Sequence, residues 1–138
     1  MADAEHFITL ALESWRRFSA DFGEKMQPYG LTVAQALMIR EIGIHKSGIS
    51  KIDLAKVMGV NRSMITNTLK NLGDYIVLTA VDKRKSLLTL SAEGKALYSK
   101  MTRLISEAAT ATVEALSEED LEALKNIVSK MKNGYVQP

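Results

Sequence analysis

The side chains best suited to chemistry fall in two clusters, Arg62 to Lys70 and Asp82 to Lys85. Turning about 100° per residue on a helix puts Ile65, Leu69 and Leu72 on one face. Ser63, Thr66, Asn67 and Lys70 then lie opposite, with Arg62 at the exposed amino-terminal end. Short hydroxyl and amide groups flanked by cations suit hydrogen bonding to base edges: Asn to adenine, Arg to guanine, Ser and Thr to bases or phosphates. An ordinary solvated face carries several glutamates, yet no acidic residue occurs from Asn61 to Leu72. The second cluster sets Lys83, Arg84 and Lys85 into a bend between two apolar runs. Such cations gain free energy by releasing counterions condensed on a polyanion, although turns are also polar simply because they are exposed. Asp82, the lone acid of this bend, is expected to hold the Arg84 guanidinium through a charge-assisted pair.

Several short elements must position these groups. A first helix, Ala4 to about Gln27, carries Ile8, Ala11, Leu12, Trp15, Phe18, Ser19, Phe22 and Met26 in one broad stripe, ended by Pro28 and Gly30. Thr32 and Gln35 form a capping box for a second helix that breaks at Gly43. Ser50 and Asp53 open a third, "KIDLAKVM", stopped by Gly59; Asn61 caps a fourth, "RSMITNTLKNL", stopped by Gly73. Ala55, Gly59 and Ile65 supply the small residue, the turn glycine and the β-branched core residue that two closely crossing helices need. "YIVLTAV" and "SLLTL" then read as a hairpin with the basic bend at its tip. Helical spacing resumes from Ala92 to about Leu116, and Ser117 with Asp120 caps a last helix that runs through Leu121, Leu124, Ile127, Val128 and Met131 to about Lys132.

Composition agrees with one soluble domain: 138 residues, 46% hydrophobic, 25% charged and two prolines. No apolar run suits a membrane span and the amino terminus lacks the pattern of a secretion signal, so a cytoplasmic location is expected. Cysteine is absent, which excludes disulfides, thiolate metal sites and cysteine redox switches. The net charge of +2 hides an asymmetry. From Arg40 to Arg103 there are 12 Lys or Arg against 5 Asp or Glu, whereas the flanks hold 6 basic and 11 acidic residues. A basic middle with acidic ends fits a polyanion-binding centre. The first and last helices carry more apolar surface than one thin core can cover, which points to self-association.

At these positions the sequence resembles the MarR family of winged-helix transcriptional regulators. The likeness rests on "GLTVAQALMI" as the opening of the second helix and on "SKIDLAKVMGVNRSMITNTLKNL" as the helix-turn-helix. It rests also on "DKR" followed by "LTLSAEGKAL" as the wing motif and the start of the fifth helix. The resemblance implies a mainly α fold with a small β-hairpin wing, a winged helix-turn-helix with long amino- and carboxy-terminal dimerisation helices. A single domain over 1–138 would have its DNA-binding part at 31–98 and its dimerisation parts at 1–30 and 99–138. The implied partners are double-stranded DNA with a pseudo-palindromic operator and a second copy of the chain. Relatives of this kind are often repressors released by a small aromatic or phenolic anion. The DNA-contacting candidates are Lys51, Asn61, Arg62, Ser63, Thr66, Asn67, Lys70, Lys83, Arg84 and Lys85, with Asp82 orienting the wing.

Trp15, Met26, Tyr29, Arg40 and Tyr98 supply aromatic walls and a cation, the chemistry of a pocket for an aromatic carboxylate. Such residues are more often plain core or interface. No catalytic constellation and no cofactor motif is present, and neither His6 nor His45 has a partner at metal-ligand spacing. An enzyme is therefore not expected. Two rival readings remain: a winged-helix module that binds protein through the same basic face, and a constitutive DNA binder without an effector. Salt separates the first from DNA binding, because only phosphate contacts weaken steeply as salt rises.

Overall fold

The computed structural model describes residues 2–131. The expected end of the last helix at Lys132, and the ends of the 1–138 span, lie outside the described residues. Helices and strands follow in the order α1 (Ala2–Met26), α2 (Val33–Ile44), α3 (Lys51–Met58), α4 (Arg62–Lys70), β1 (Ile76–Ala80), β2 (Ser86–Leu90), α5 (Ala92–Val113) and α6 (Glu118–Lys130). The fold is mainly α with one antiparallel hairpin, as the sequence implies.

The stripe of α1 divides along its length. Phe22 and Met26 are fully buried, whereas Ile8, Leu12 and Trp15 stay about half exposed in the single chain. After α1 a single 3-10 turn, Gln27–Tyr29, holds Pro28, and Gly30 closes it in the left-handed region. Thr32 Oγ1 accepts the Gln35 N–H at 3.1 Å while Gln35 Oε1 accepts the Thr32 N–H at 2.9 Å, the reciprocal cap expected for α2. Gly43 does not end this helix, contrary to expectation, and α2 continues to Ile44. The glycine is needed for a different reason: a Cβ there would stand 2.2 Å from Cδ1 of Tyr98, whose ring lies against α2.

Ser50 caps α3 through the Asp53 N–H at 3.1 Å, one bond rather than a reciprocal box. At Gly59, with φ 68°, the chain reverses into α4, and this left-handed conformation is open to glycine at little cost. Asn61 Oδ1 accepts the Met64 N–H at 2.9 Å and starts α4. That helix stops at Lys70, short of the expected Leu72, because Leu72 turns inward as a buried residue ahead of a 3-10 turn at Gly73–Tyr75.

β1 and β2 pair from Ile76 opposite Leu90 to Ala80 opposite Ser86. Leu88 and Leu90 face the core, and Leu88 also exchanges two main-chain bonds with Ile49, at 2.8 and 3.1 Å. The hairpin is thereby fastened to the segment that leads into α3. Ser91 Oγ accepts the Gly94 N–H at 3.0 Å and donates to the Asp74 carbonyl at 2.6 Å, so α5 begins docked on the Gly73–Tyr75 turn. The one core links Phe22 and Met26 of α1 with Met38, Ile39 and Ile42 of α2, then Leu54, Ile65, Leu72, Leu88, Leu97 and Met101. Ser117 and Asp120 form the expected box at the start of α6, yet no residue of α6 is buried.

Candidate nucleic-acid interface

Helix α4 presents two unlike faces. Ile65 is completely buried against the core, while Arg62, Ser63, Thr66, Asn67 and Lys70 are all exposed. Arg62, Ser63, Thr66 and Asn67 together line a shallow depression of about 410 Å³. This is the clustering read from helical rotation, and its donors and acceptors stand free to meet base edges. Asn61 differs from its neighbours. Its Oδ1 is engaged as the cap of α4, which leaves its amide NH2 for a ligand and removes the acceptor half of a bidentate contact to adenine.

A deeper groove of about 460 Å³ joins α3, α4 and the wing. Lys51 from α3, Arg62 from α4, and Arg84 and Lys85 from the wing meet along it. Its walls include Ile52 and Leu78, side chains about half exposed that sequence reading did not single out. Apolar walls below four cations, with the Asp53 carboxylate as the one acid of the lining, match a sugar-phosphate backbone, whose deoxyribose is apolar and whose phosphates are charged. Ser50 and Ser86 add hydroxyls to the same groove. The alternation of strand side chains, which sends Leu78 to one face and Val77 to the other, is the signal that could have found Leu78. Lys83 is exposed at the tip of the wing and Lys70 at the far end of α4, both outside this groove.

Asp53 shares the groove with four cations but forms no ion pair with any of them among the described residues. Among the described residues the ion pairs are Arg17 with Glu13, Lys25 with Asp21, His45 with Glu41, and Arg103 with Glu107. Lys51, Arg62, Lys70, Lys83, Arg84 and Lys85 take part in none of them.

Asp82 does not hold the Arg84 guanidinium, which corrects the expectation for this pair. Its Oδ1 accepts the main-chain N–H groups of Arg84 and Lys85, each at 2.8 Å. The tight bend, closed by the Val81 N–H on the Lys85 carbonyl at 2.8 Å, points those N–H groups back at the carboxylate. The Arg84 side chain is left free to reach into the groove.

The expected effector cluster is not assembled. Met26 is fully buried in the core. Trp15 is exposed and packs against Phe18 at 5.7 Å between ring centres. Tyr29 has the Lys100 ammonium 6.0 Å from its ring centre, and Arg40 is half-buried on α2. Of the five residues only Tyr98 lines the cavity of about 510 Å³ between α2, β2 and α5. No group of His, Asp or Glu that could hold a metal ion occurs among the described residues, and no described helix is long and apolar enough to cross a membrane.

No protein-family model matches the chain. Solved structures of similar shape include E. coli MarR, as a cysteine-to-serine variant complexed with operator DNA, at 20% identity, with a TM-score of 0.78 over 88% of this chain and 90% of that one. The transcriptional regulator SlyA is similar at 19% identity, with a TM-score of 0.83 over 91% and 90%. CouR from Rhodococcus jostii, bound to p-coumaroyl-CoA, is similar at 17% identity, with a TM-score of 0.74 over 86% of each chain. At such identities the likeness is one of architecture, and the chain has the fold of the MarR-family winged-helix regulators.

Proposed function

We propose that this protein is a sequence-specific, double-stranded-DNA-binding transcriptional regulator of the repressor type, acting as a homodimer in the cytoplasm. The observation that carries the reading is the groove in which α3, α4 and the wing bring Lys51, Arg62, Arg84 and Lys85 together without an ion-pair partner among the described residues. Beside it lies the acid-free face of Ser63, Thr66 and Asn67. The groove supplies position through phosphates and the α4 face supplies base readout. The similar structure of MarR with operator DNA supports the same use of this architecture. The CouR complex with an acyl-CoA supports release by a small ligand.

A second copy is the natural cover for the apolar surface left on the terminal helices. Ile8, Leu12 and Trp15 of α1 are exposed, as are Leu121, Leu124, Ile127 and Val128 of α6. A two-fold dimer would present two α4 helices to half-sites about 34 to 36 Å apart, hence a pseudo-palindromic operator. The reading gives the chain no catalytic part.

Selection of bound duplexes from a random pool, followed by titration of the enriched duplex over a salt series, tests it. The expected result is a two-fold symmetric site and an affinity that falls linearly in log-log form with salt. Recovery of no enriched sequence, together with binding indifferent to salt, would overturn the reading and favour a protein-binding module.

A further inference from the structure

The outer edge of the hairpin, along β1, has no partner among the described residues of the single chain. Leu88 of β2 exchanges both its main-chain bonds with Ile49, which turns its N–H and C=O away from β1. Bonded and non-bonded pairs alternate along an antiparallel ladder, so Leu78, opposite Leu88, turns its own N–H and C=O away from β2. Ala80, two residues on, does the same. The bonds from the Val81 N–H to the Lys85 carbonyl and from the Ser91 N–H to the Tyr75 carbonyl fix this phase from both ends. Ile76 shares it, but its N–H is taken by the Gly73 carbonyl. Natural edge strands are usually guarded by a charge, a proline or a bulge. From Ile76 to Val81 there is neither a charged residue nor a proline, and the register from Ile76 to Ala80 runs without a bulge. Val77, Leu78 and Val81 are instead 42%, 53% and 56% exposed.

We propose that this edge pairs with the same edge of a second copy of the chain, antiparallel about a two-fold axis at Thr79. In this register the two residues with both groups free, Leu78 and Ala80, meet each other across the axis and exchange both main-chain bonds. It also sets Val77 against Val81 of the second copy, two exposed side chains on one face. Charge selects the orientation and the occupant. Asp74 stands before β1, exposed and in no ion pair among the described residues, and Lys83, Arg84 and Lys85 stand after it. The antiparallel register carries Asp74 of one copy to Arg84 of the second, whereas a parallel one would set one basic bend against the other. The strand is thus complementary to itself at both ends. The pairing uses no residue of α1 or α6 and stands whether or not the chain binds DNA. On the dimer proposed above, it links one dimer to the next.

Hydrogen exchange of the full-length protein, followed amide by amide from micromolar to millimolar concentration alongside sedimentation equilibrium, tests the pairing. The amides of Leu78 and Ala80 should exchange freely in dilute solution and become protected as concentration rises. Those of Val77 and Thr79, bonded to β2, should be protected throughout. The mean mass should climb in step with the protection of Leu78 and Ala80. Ala80→Pro removes an outward N–H that no main-chain group of the hairpin uses, and should weaken the association by about tenfold or more at an unchanged unfolding midpoint. Thr79→Lys and Thr79→Glu each set like charges across the axis and leave the main chain as it is, so each should weaken the association. The two variants mixed in equal amounts should associate more tightly than either alone. Leu78 and Ala80 amides protected equally at every concentration would mean an edge already covered. Amides unprotected at every concentration would leave the edge to an extended peptide of another protein. Either result would overturn the self-pairing, as would association that survives Ala80→Pro or a mixture of the Thr79 variants no tighter than its parts.

Discussion

One carboxylate oxygen, Asp82 Oδ1, holds the main-chain N–H of Arg84 at 2.8 Å and leaves the guanidinium unpaired among the described residues. The acid therefore shapes the wing through its backbone, and on the proposed function a charge that opposes the DNA phosphates serves to fix the turn that carries three cations. Asp82→Ala should weaken duplex binding although it raises the positive charge of the wing. Asp82→Asn keeps an acceptor oxygen for the same two N–H groups and loses the charge, so it should bind at least as tightly as the wild type. Titrating both variants on one duplex separates shape from charge: tighter binding by Asp82→Ala would show that the turn needs no such clamp.

Replacing Lys83, Arg84 and Lys85 together by Ala should reduce affinity on every duplex, with no change in the preferred sequence. Each lost phosphate contact flattens the log-log salt slope by about 0.9. Arg84 and Lys85 line the groove and Lys83 stands at the tip, so a change of about two to three contacts' worth is expected. An unaltered slope would place the wing away from the DNA.

Asn61 and Asn67 have the same side chain and different expected failures. Asn61→Ala removes the cap of α4 and should cost about 0.5 to 2 kcal/mol of stability, read as a lower urea midpoint. Asn67 is exposed and takes no part in a cap, so Asn67→Ala should leave stability alone and lose about 1 to 3 kcal/mol of discrimination at particular base pairs. Lys70→Ala should act evenly across sequences. An Asn67→Ala protein with unchanged site preference would mean that α4 meets the groove by another face.

The same contrast explains what was legible before any coordinates. Helix starts at Thr32, Ser50, Asn61 and Ser117 could be read because a cap is a local event between a side chain and an N–H three residues on. The exposed polar face of α4 and the basic bend of the hairpin are legible because rotation and strand alternation fix direction from neighbours in sequence. Gly43 was misread as a helix stop since its reason, the ring of Tyr98, lies on a distant element. The five effector candidates are dispersed in the single chain for a like reason: aromatic character says nothing about depth, and Met26 lies in the core while Trp15 lies outside it. The partner of Asp82 is not legible in the same way, because residue types alone do not say that the bend turns the Arg84 and Lys85 N–H groups, rather than the guanidinium, toward the carboxylate.

Self-association through the terminal helices predicts a mass near twice 15.2 kDa by light scattering at micromolar concentration. Leu124 and Val128 are exposed in the single chain and lie one helical turn apart on α6. Leu124→Asp with Val128→Asp should leave helix content intact, lower the mass to that of one chain, and weaken binding to a paired site far more than to a single half-site. A variant that remains dimeric would place the interface elsewhere.

The contact of Tyr98 with Gly43 yields the sharpest test of the packing. A methyl group at position 43 would meet Cδ1 of the ring at 2.2 Å and Cε1 at 2.4 Å, closer than van der Waals contact permits. Overpacking typically costs about 1 to 3 kcal/mol, which exceeds the gain of up to about 1 kcal/mol that Ala has over Gly within a helix. Gly43→Ala should thus lower the urea midpoint. In a Tyr98→Ala background the obstacle is gone and only the helix preference remains, so the same substitution should be neutral or stabilising. A double-mutant cycle over the four proteins measures this change of sign directly. An equal loss in both backgrounds would show that position 43 is restricted by something other than the ring.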